Sequence, residues 1–428
     1  KDPVEVENGN IVTYTLRIYN EGMMAGYASR VKDDVPDGLE FLPDNEINQE
    51  YRWVLSEDGT SIETDYLSKE QEQTEGANLI KAFDPELGIT DTNPDYRDLK
   101  IAFRVTEPNT SDRILVNTAE ISDDRDENND PVDDIDSTPD NNNEWNEEDD
   151  LDKEFVKVKY FDLALKKWVT SSITIYDGKT TIVKTGHTGD EDPEPVVKVD
   201  IKESRLKDII VKFTYNIKVT NEGEIPGYAT EVTDYIPEGL GYLIDYKANT
   251  DNFWVPVTDN TTETIDLVGE QGLYKSENTV KNLSTTDFYS KDSLKDVKIL
   301  VGEAKISSTA LEDEIIKSYN PELKSTDIGE TDQWQQSTNG TDGLYYRDIE
   351  ITCIVLKEDT FKGTLINIAE IEQFKAVDEN DEEIYITDRD STPDDVDRDN
   401  YNPPADNSTY QEDDDDYEPL KLRCFDLA

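Results

Sequence analysis

The sequence predicts an all-β chain of two tandem β-sandwich domains with acidic loops at their junctions. Three observations carry that expectation: strand-length runs that alternate apolar and polar residues, a long internal repeat, and turn signals at short, regular spacing.

The strands come first. IVTYTLRIYN (11–20), DLKIAFRV (98–105), KFTYNIKVTN (212–221) and DIEITCIVL (348–356) alternate with period two and are rich in Val, Ile, Thr, Tyr and Phe. NEG, PDG, PEG and DENND punctuate them as turns. No extended helical period competes with this pattern, although a helical turn or two is expected in 68–83 or 308–319.

The repeat is the strongest signal. NEGMMAGYASRVKDDVPDGLEFL (20–42) matches NEGEIPGYATEVTDYIPEGLGYL (221–243) at a constant offset of 201. LIKAFDPEL (79–87) answers to IIKSYNPEL (315–323) at 236, and YRDLKIAFRV (96–105) to YRDIEITCIV (346–355) at 250. LVNTAEI (115–121) pairs with LINIAEI (365–371), and DIDSTPD (134–140) with DRDSTPD (388–394). The growing offset places two insertions in the second copy, expected as surface loops.

A segment is out of register with this repeat. YFDLALKKWV (160–169) precedes the second copy, the last residues RCFDLA (423–428) begin the same phrase, and the first copy opens at VTYTLRIYNEG (12–22) without one. The expected division is residues 1–150 as a repeat lacking its first strand, 151–418 as a repeat with insertions, and 419–428 as the start of another repeat's first strand. Copies of the module are then the expected partners, head to tail, in a longer tandem array or by strand donation between neighbours.

Composition narrows the function. Among 428 residues, 42 Lys and Arg face 100 Asp and Glu, a formal net charge of −58, which repels phosphate backbones and anionic lipid. Nucleic acid is therefore excluded as a partner, no apolar run is long enough to insert into a membrane as a helix, and divalent cations are favoured. With one His, no GxSxG, no CxxC and no glycine-rich phosphate loop, an enzyme is not expected.

In combination, VTYT, NEG, GYA, PEGL and NxAEI resemble a conserved repeat domain of unknown function in large secreted and surface-anchored bacterial proteins, notably a Firmicute version opening with FDLALRKF. The resemblance covers nearly the whole chain. It implies an immunoglobulin-like sandwich, an extracellular or cell-surface location, and a structural or adhesive role. The expected function is a filament segment; the alternative is an adhesin for a host or polysaccharide ligand, with Phe253, Trp254, Tyr274, Phe288 and Trp334 as candidate surface aromatics and Trp254 better placed in the core because Trp53 aligns with it.

Strand parity singles out three inward polar residues. Asn367 shares the face of Leu365, Ala369 and Ile371; Asp234 that of Val232 and Ile236; Lys167 that of Phe161, Leu163 and Leu165. In the first copy Asn117 and Asp33 take the same positions. Buried singly such groups are costly. Together they resemble the trio of isopeptide-forming surface domains, in which a neutral Lys attacks the Asn carboxamide beside a protonated Asp and ammonia leaves. Such a bond, read as joining a first strand to a last, encloses the 200 residues between 167 and 367, worth on the order of 4–5 kcal/mol by loop entropy. The competing reading is an Asn bonded to neighbouring backbone and a lysine reaching outward past its strand end.

The second constellation is acidic. DxDSTPD followed by a carboxylate run occurs at both junctions, with Asp134, Asp136, Asp140, Glu148, Asp149 and Asp150 in the first and Asp388, Asp390, Asp394, Asp413, Asp414 and Asp415 in the second. Clustered carboxylates and carbonyls suit Ca²⁺, and the phrase resembles the calcium sites of the B repeats of serine-aspartate adhesins. The alternative is a solvated charged face. Calcium here is expected to stiffen the junctions. Cys353 and Cys424 are expected as buried thiols or a disulfide.

Overall fold

The computed structural model describes residues 3–57, 59–110, 112–141, 148–176, 179–184, 196–202, 210–244, 246–257, 263–266, 298–301, 303–320, 329, 332–336, 343–355, 364–394, 396 and 412–425. The chain is almost entirely β and forms two compact units, Lys1–Lys159 and Tyr160–Ala428.

Unit 1 contains β1 (Val4–Glu7), β2 (Ile11–Tyr19), β3 (Gly26–Asp34), β4 (Leu39–Phe41), β5 (Val54–Leu55), β6 (Ser61–Thr64), β7 (Tyr96–Val105), β8 (Ile114–Asp126) and β9 (Leu151–Lys159). One sheet runs β1-β9-β8-β3-β6-β5 and the other β2-β7-β4. Their inner faces meet in a core of Ile62, Leu99, Ile101, Phe103 and Leu115. Phe103 takes edge-on contacts from Tyr14 and Phe41, with ring centres 5.9 and 6.5 Å away.

Unit 2 contains β10 (Leu163–Tyr176), β11 (Lys179–Lys184), β12 (Val196–Lys202), β13 (Ile210–Asn221), β14 (Gly227–Ile236), β15 (Leu240–Leu243), β16 (Trp254–Pro256), β17 (Glu263–Asp266), β18 (Lys298–Val301), β19 (Ala304–Ser308), β20 (Gln333–Gln336), β21 (Gly343–Val355), β22 (Thr364–Val377), β23 (Glu383–Ile384) and β24 (Asp415–Phe425). One sheet runs β11-β10-β13-β21-β15-β18-β17 with β20 on β21; the other runs β12-β24-β22-β14-β19-β16 with β23 on β22.

The same skeleton underlies both units. Each has a parallel pair before its long hairpins, β1 with β9 and β12 with β24. Asn48 and Asn249 make identical bonds: their amides donate to Leu42 and Ala102 carbonyls or to Leu243 and Thr352 carbonyls, and their Oδ1 atoms accept from Ala102 N or Thr352 N. Trp53 and Trp254 are core residues whose indole N–H groups donate to Lys100 O and Glu350 O. The Asn of each NEG turn accepts from the Gly two residues on.

Three expectations need correction. The strand after each acidic loop belongs to the unit before it, because β9 pairs with β8 and β24 with β22. The boundary therefore falls at 159/160 rather than 150/151, and of the segment 419–428 residues 419–425 pair with β22 and β12 within unit 2, while residues 426–428 lie outside the described residues. The insertions are not loops throughout: β17 and β18 extend one sheet and β20 pairs β21. The helical turn expected in 68–83 is the 3-10 turn Lys69–Gln71, and 308–319 holds none; short helices also lie at Glu46–Glu50 and Lys247–Asp251, after the PDG and PEG turns.

Candidate functional site

Unit 2 brings the inward Lys, Asp and Asn into one solvent-free space between its sheets. Lys167 comes from β10, opposite Ile217 of β13; Asp234 from β14, opposite Ala369 of β22; Asn367 from β22, opposite Glu418 of β24. Lys167 Nζ donates to Asp234 Oδ2, and both side chains have zero exposure. The ammonium also lies 5.1 Å from the centre of the Tyr215 ring. Asn367 is fully buried and neither polar atom of its carboxamide has a hydrogen-bond partner among the described residues. The Tyr215 hydroxyl lies beside that carboxamide, outside hydrogen-bond geometry. A buried primary amide without partners is expensive, so this one is conspicuous.

The outward-lysine alternative is therefore not what the fold adopts. A further point of geometry differs from expectation: β22 is not the last strand, since β23 and β24 come after it, and a Lys167–Asn367 bond would join the two sheets across the core.

Unit 1 repeats two-thirds of this arrangement. Asn117 Nδ2 donates to Asp33 Oδ2 over 2.9 Å, with both residues buried, and Asp33 stands opposite Ala119 as Asp234 stands opposite Ala369. Burial raises the Asp33 carboxyl well above the usual range, with the Asn117 hydrogen bond opposing and Asp34 adding to the rise.

The acidic residues separate into those that converge and those that do not. In unit 2, Asp162, Asp390 and Asp413 offer carboxylate oxygens all within 4.8 Å of one another. Asp388 adjoins them, its Oδ2 accepting from Leu163 N over 2.8 Å while its Oδ1 and the Oδ1 of Asp162 have no donor among the described residues. Asp162 and Asp388 are only 4% and 8% exposed. Burial first, then neighbouring carboxylates, pushes Asp162 to about 8, Asp413 to about 9 and Asp414 to about 8. Asp388 rises to about 7, from burial first, with the Leu163 N–H opposing and Asp390 adding to the rise. Asp414 is buried, and Asp415 stands opposite Glu370 at the start of β24. Asp394 points instead to Lys305.

In unit 1, Asp136 is raised chiefly by Asp149 nearby, and Asp134 accepts from Asp136 N. Asp140 is paired with Lys32, and Glu148 accepts from Thr138 N and Asn141 Nδ2. Asp150 is pushed to about 6 by burial and then by Glu120 and Glu148.

Two contributors were not singled out by sequence reasoning. Asp162, the polar residue of FDLAL, sits on the strand that the DxDSTPD loop wraps, with Phe161 bridging to Asp388. Its signal was the recurrence of FDLA at 161–164 and 425–428, which puts an Asp after each acidic loop. The Glu of NxAEI anchors the acidic loop: Glu120 accepts from Asn141 N and Glu370 from Val396 N.

Of the candidate surface aromatics, Trp254 is buried, Trp334 packs partly against the core, and Phe253 is exposed. Tyr274 and Phe288 lie outside the described residues. Cys353 is a buried free thiol between the sheets.

No protein-family model matches the chain, and no curated protein does. Among solved structures it is similar to a chain called BspA_C_mut, at 10% identity over 89% of this chain and 91% of that one, with a TM-score of 0.22. It is also similar to BcpA, the major pilin subunit of Bacillus cereus, at 10% identity over 87% of this chain, with a TM-score of 0.18; it spans 66% of that chain's length. Likeness at these scores extends to no particular residue or function.

Proposed function

We propose that this chain is a structural segment of an extracellular, cell-surface filament built from tandem immunoglobulin-like modules and braced by Ca²⁺, with unit 2 locked internally by a Lys-Asn isopeptide bond. The observation that carries the reading is the Lys167–Asp234 pair in a dry core beside the Asn367 carboxamide, which has no hydrogen-bond partner among the described residues.

The reaction balances on these three residues. Asp234 takes a proton from the Lys167 ammonium through their hydrogen bond, leaving a neutral amine and a neutral acid. The amine attacks Asn367 Cγ, the acid hydrogen-bonds the carbonyl oxygen as it gains charge, the Cγ–Nδ2 bond breaks, and ammonia leaves. One amide replaces another, and no cofactor enters.

For Ca²⁺, the donor set supports the reading: Asp162, Asp388, Asp390 and Asp413 offer oxygen alone, and Asp162, Asp388 and Asp390 each have a buried oxygen that accepts no hydrogen bond from the described residues. A cation there would neutralise charges that otherwise force protons onto these groups, and would tie the start of β10 to the loop before β24.

Intact-mass measurement of the purified chain tests the lock. One bond lowers the mass by about 17 Da, the ammonia lost; Lys167→Met restores it. A wild-type mass equal to that of the uncrosslinked polypeptide would refute the bond. The adhesive alternative draws support from Phe253, 64% exposed beside Val255 at 57%.

A further inference from the structure

Unit 1 holds an open groove where unit 2 holds β10. It has a volume of about 290 Å³ and is lined by β2, β8 and β9, including Tyr14, Leu16, Asn117, Ala119, Asp152 and Glu154. In unit 2, β10 lies along the outer edge of β13, the counterpart of β2, with Lys167 opposite Ile217 and Val169 opposite Tyr215. Backbone N–H groups of β10 also donate to β24 and the residues before it: Leu165 to Asp413 O, Lys167 to Asp416 Oδ2, and Val169 to Glu418 Oε1.

Each of those acceptors has a counterpart in unit 1. Asp149, Asp152 and Glu154 stand where Asp413, Asp416 and Glu418 stand, because Ala119 faces Asp152 as Ala369 faces Asp416, and Asn117 faces Glu154 as Asn367 faces Glu418. Asp152 is even held alike, its Oδ1 accepting from the next N–H as that of Asp416 does. What β10 covers in unit 2 is open in unit 1. Ile11 and Tyr19 at the ends of β2 are 56% and 46% exposed, whereas their counterparts Lys212 and Thr220 are 1% and 4% exposed. Asp134 is exposed where Asp388 is buried. Asn117 Oδ1 in the groove lining and Asp33 Oδ1 on its hydrogen-bonded partner, both buried, accept no hydrogen bond among the described residues.

We propose that this groove is the receptor for an extended strand of the Phe-Asp-Leu-Ala-Leu-Lys-Lys-Trp type, carried by another repeat of the same kind. The register follows from unit 2. The incoming Phe sits over Gly26, the counterpart of Gly227, where a Cβ would lie 2.5 Å from the Phe161 ring. The incoming Asp joins Asp136 and Asp149 as the third carboxylate of a cation site, as Asp162 joins Asp390 and Asp413. The incoming Lys lands opposite Leu16 and reaches Asp33 and Asn117. Main-chain pairing to β2 supplies affinity, and the Asp and Lys supply register. Docking stands on this geometry; a covalent finish rests on the reaction proposed above, in which the incoming Nζ bonds to Asn117 Cγ, the Cγ–Nδ2 bond breaks and ammonia leaves.

The test uses the full chain and a fluorescent peptide of residues 160–176, titrated with Ca²⁺ or with chelator. The expected result is saturable one-to-one binding, weakened at least about tenfold by Leu16→Lys in the chain, which sets like charges together, and by Lys167→Glu in the peptide. Chelation weakens the natural peptide but not an Asp162→Asn peptide. Absence of saturable binding, or binding indifferent to both charge changes, overturns the proposal; indifference to chelation removes the aspartate's part. Mass spectrometry then separates the two readings. An adduct at Asn117 lighter by ammonia supports both, and binding without any adduct upholds the groove while refuting the reaction there.

Discussion

Lys167 and Asp234 form an ion pair from which water is wholly excluded, the lysine on one sheet of unit 2 and the aspartate on the other. Removing one member strands the other charge, at a cost of about 3–5 kcal/mol. Lys167→Met should therefore lower the stability of unit 2 by at least that much, seen as an earlier transition in denaturant. Lys167→Met with Asp234→Leu removes both charges and should recover most of the ion-pair loss. If the crosslink exists, the double variant still lacks its loop closure and remains less stable than wild type by about 4–5 kcal/mol.

Much of this site was legible from strand parity alone, since Asn367, Asp234 and Lys167 each continue an apolar face. Parity cannot say which faces look at each other, so the pairing of Lys167 with Asp234, and not with Asn367, came only from the fold. The acidic loops were legible as a composition, but DxDSTPD does not reveal that its third carboxylate comes from Asp162, more than two hundred residues away in sequence. Asp140 and Asp394 looked equivalent to their neighbours in sequence; both adopt positive φ and turn to Lys32 and Lys305 instead. The strand boundary at 159 was hidden because LDKEFVKVK alternates weakly after its run of charge.

For the cation site, Ca²⁺ at a hundred times its dissociation constant should stabilise unit 2 by about 2.7 kcal/mol, read as a rise in its melting temperature that chelator reverses. Asp162→Asn should abolish most of that rise although it lies outside the acidic loop. Asp394→Asn should leave it intact. Equal effects from the two substitutions would mean diffuse charge screening rather than a site.

Lys212 predicts the pH dependence. Its side chain is buried, 4.6 Å from the Tyr246 ring centre, and burial lowers its pKa from 10.5 to about 7. Between those values the unfolded chain binds a proton at this lysine that the folded chain does not, so the Lys212 contribution to stability rises with pH across the window, by at most about 1.4 kcal/mol per pH unit, against the opposite slopes of the raised carboxyls Asp162, Asp413 and Asp414 up to pH about 9. The stabilising difference is lost as pH falls through about 7. Lys212→Met should make the slope of stability against pH more negative than that of wild type in urea titrations at pH 7 to 10, whereas a slope unchanged by the substitution would refute the assignment to Lys212.

Asn249 offers a test of the shared skeleton. Its carboxamide satisfies three backbone groups, Leu243 O, Thr352 O and Thr352 N, in full burial, and Asn48 does the same in unit 1. Each buried group left without a partner costs about 1–3 kcal/mol. Asn249→Ala should therefore destabilise unit 2 by more than about 3 kcal/mol, and Asn48→Ala should act comparably on unit 1. Because the bonds stay within each unit, each substitution should shift one of two unfolding transitions and leave the other in place. Hydrogen exchange resolved by peptide would show which unit opens, with protection lost across β15 and β21 for Asn249→Ala and across β4 and β7 for Asn48→Ala. If both units opened together in either variant, the two sandwiches would be folding as a single cooperative body.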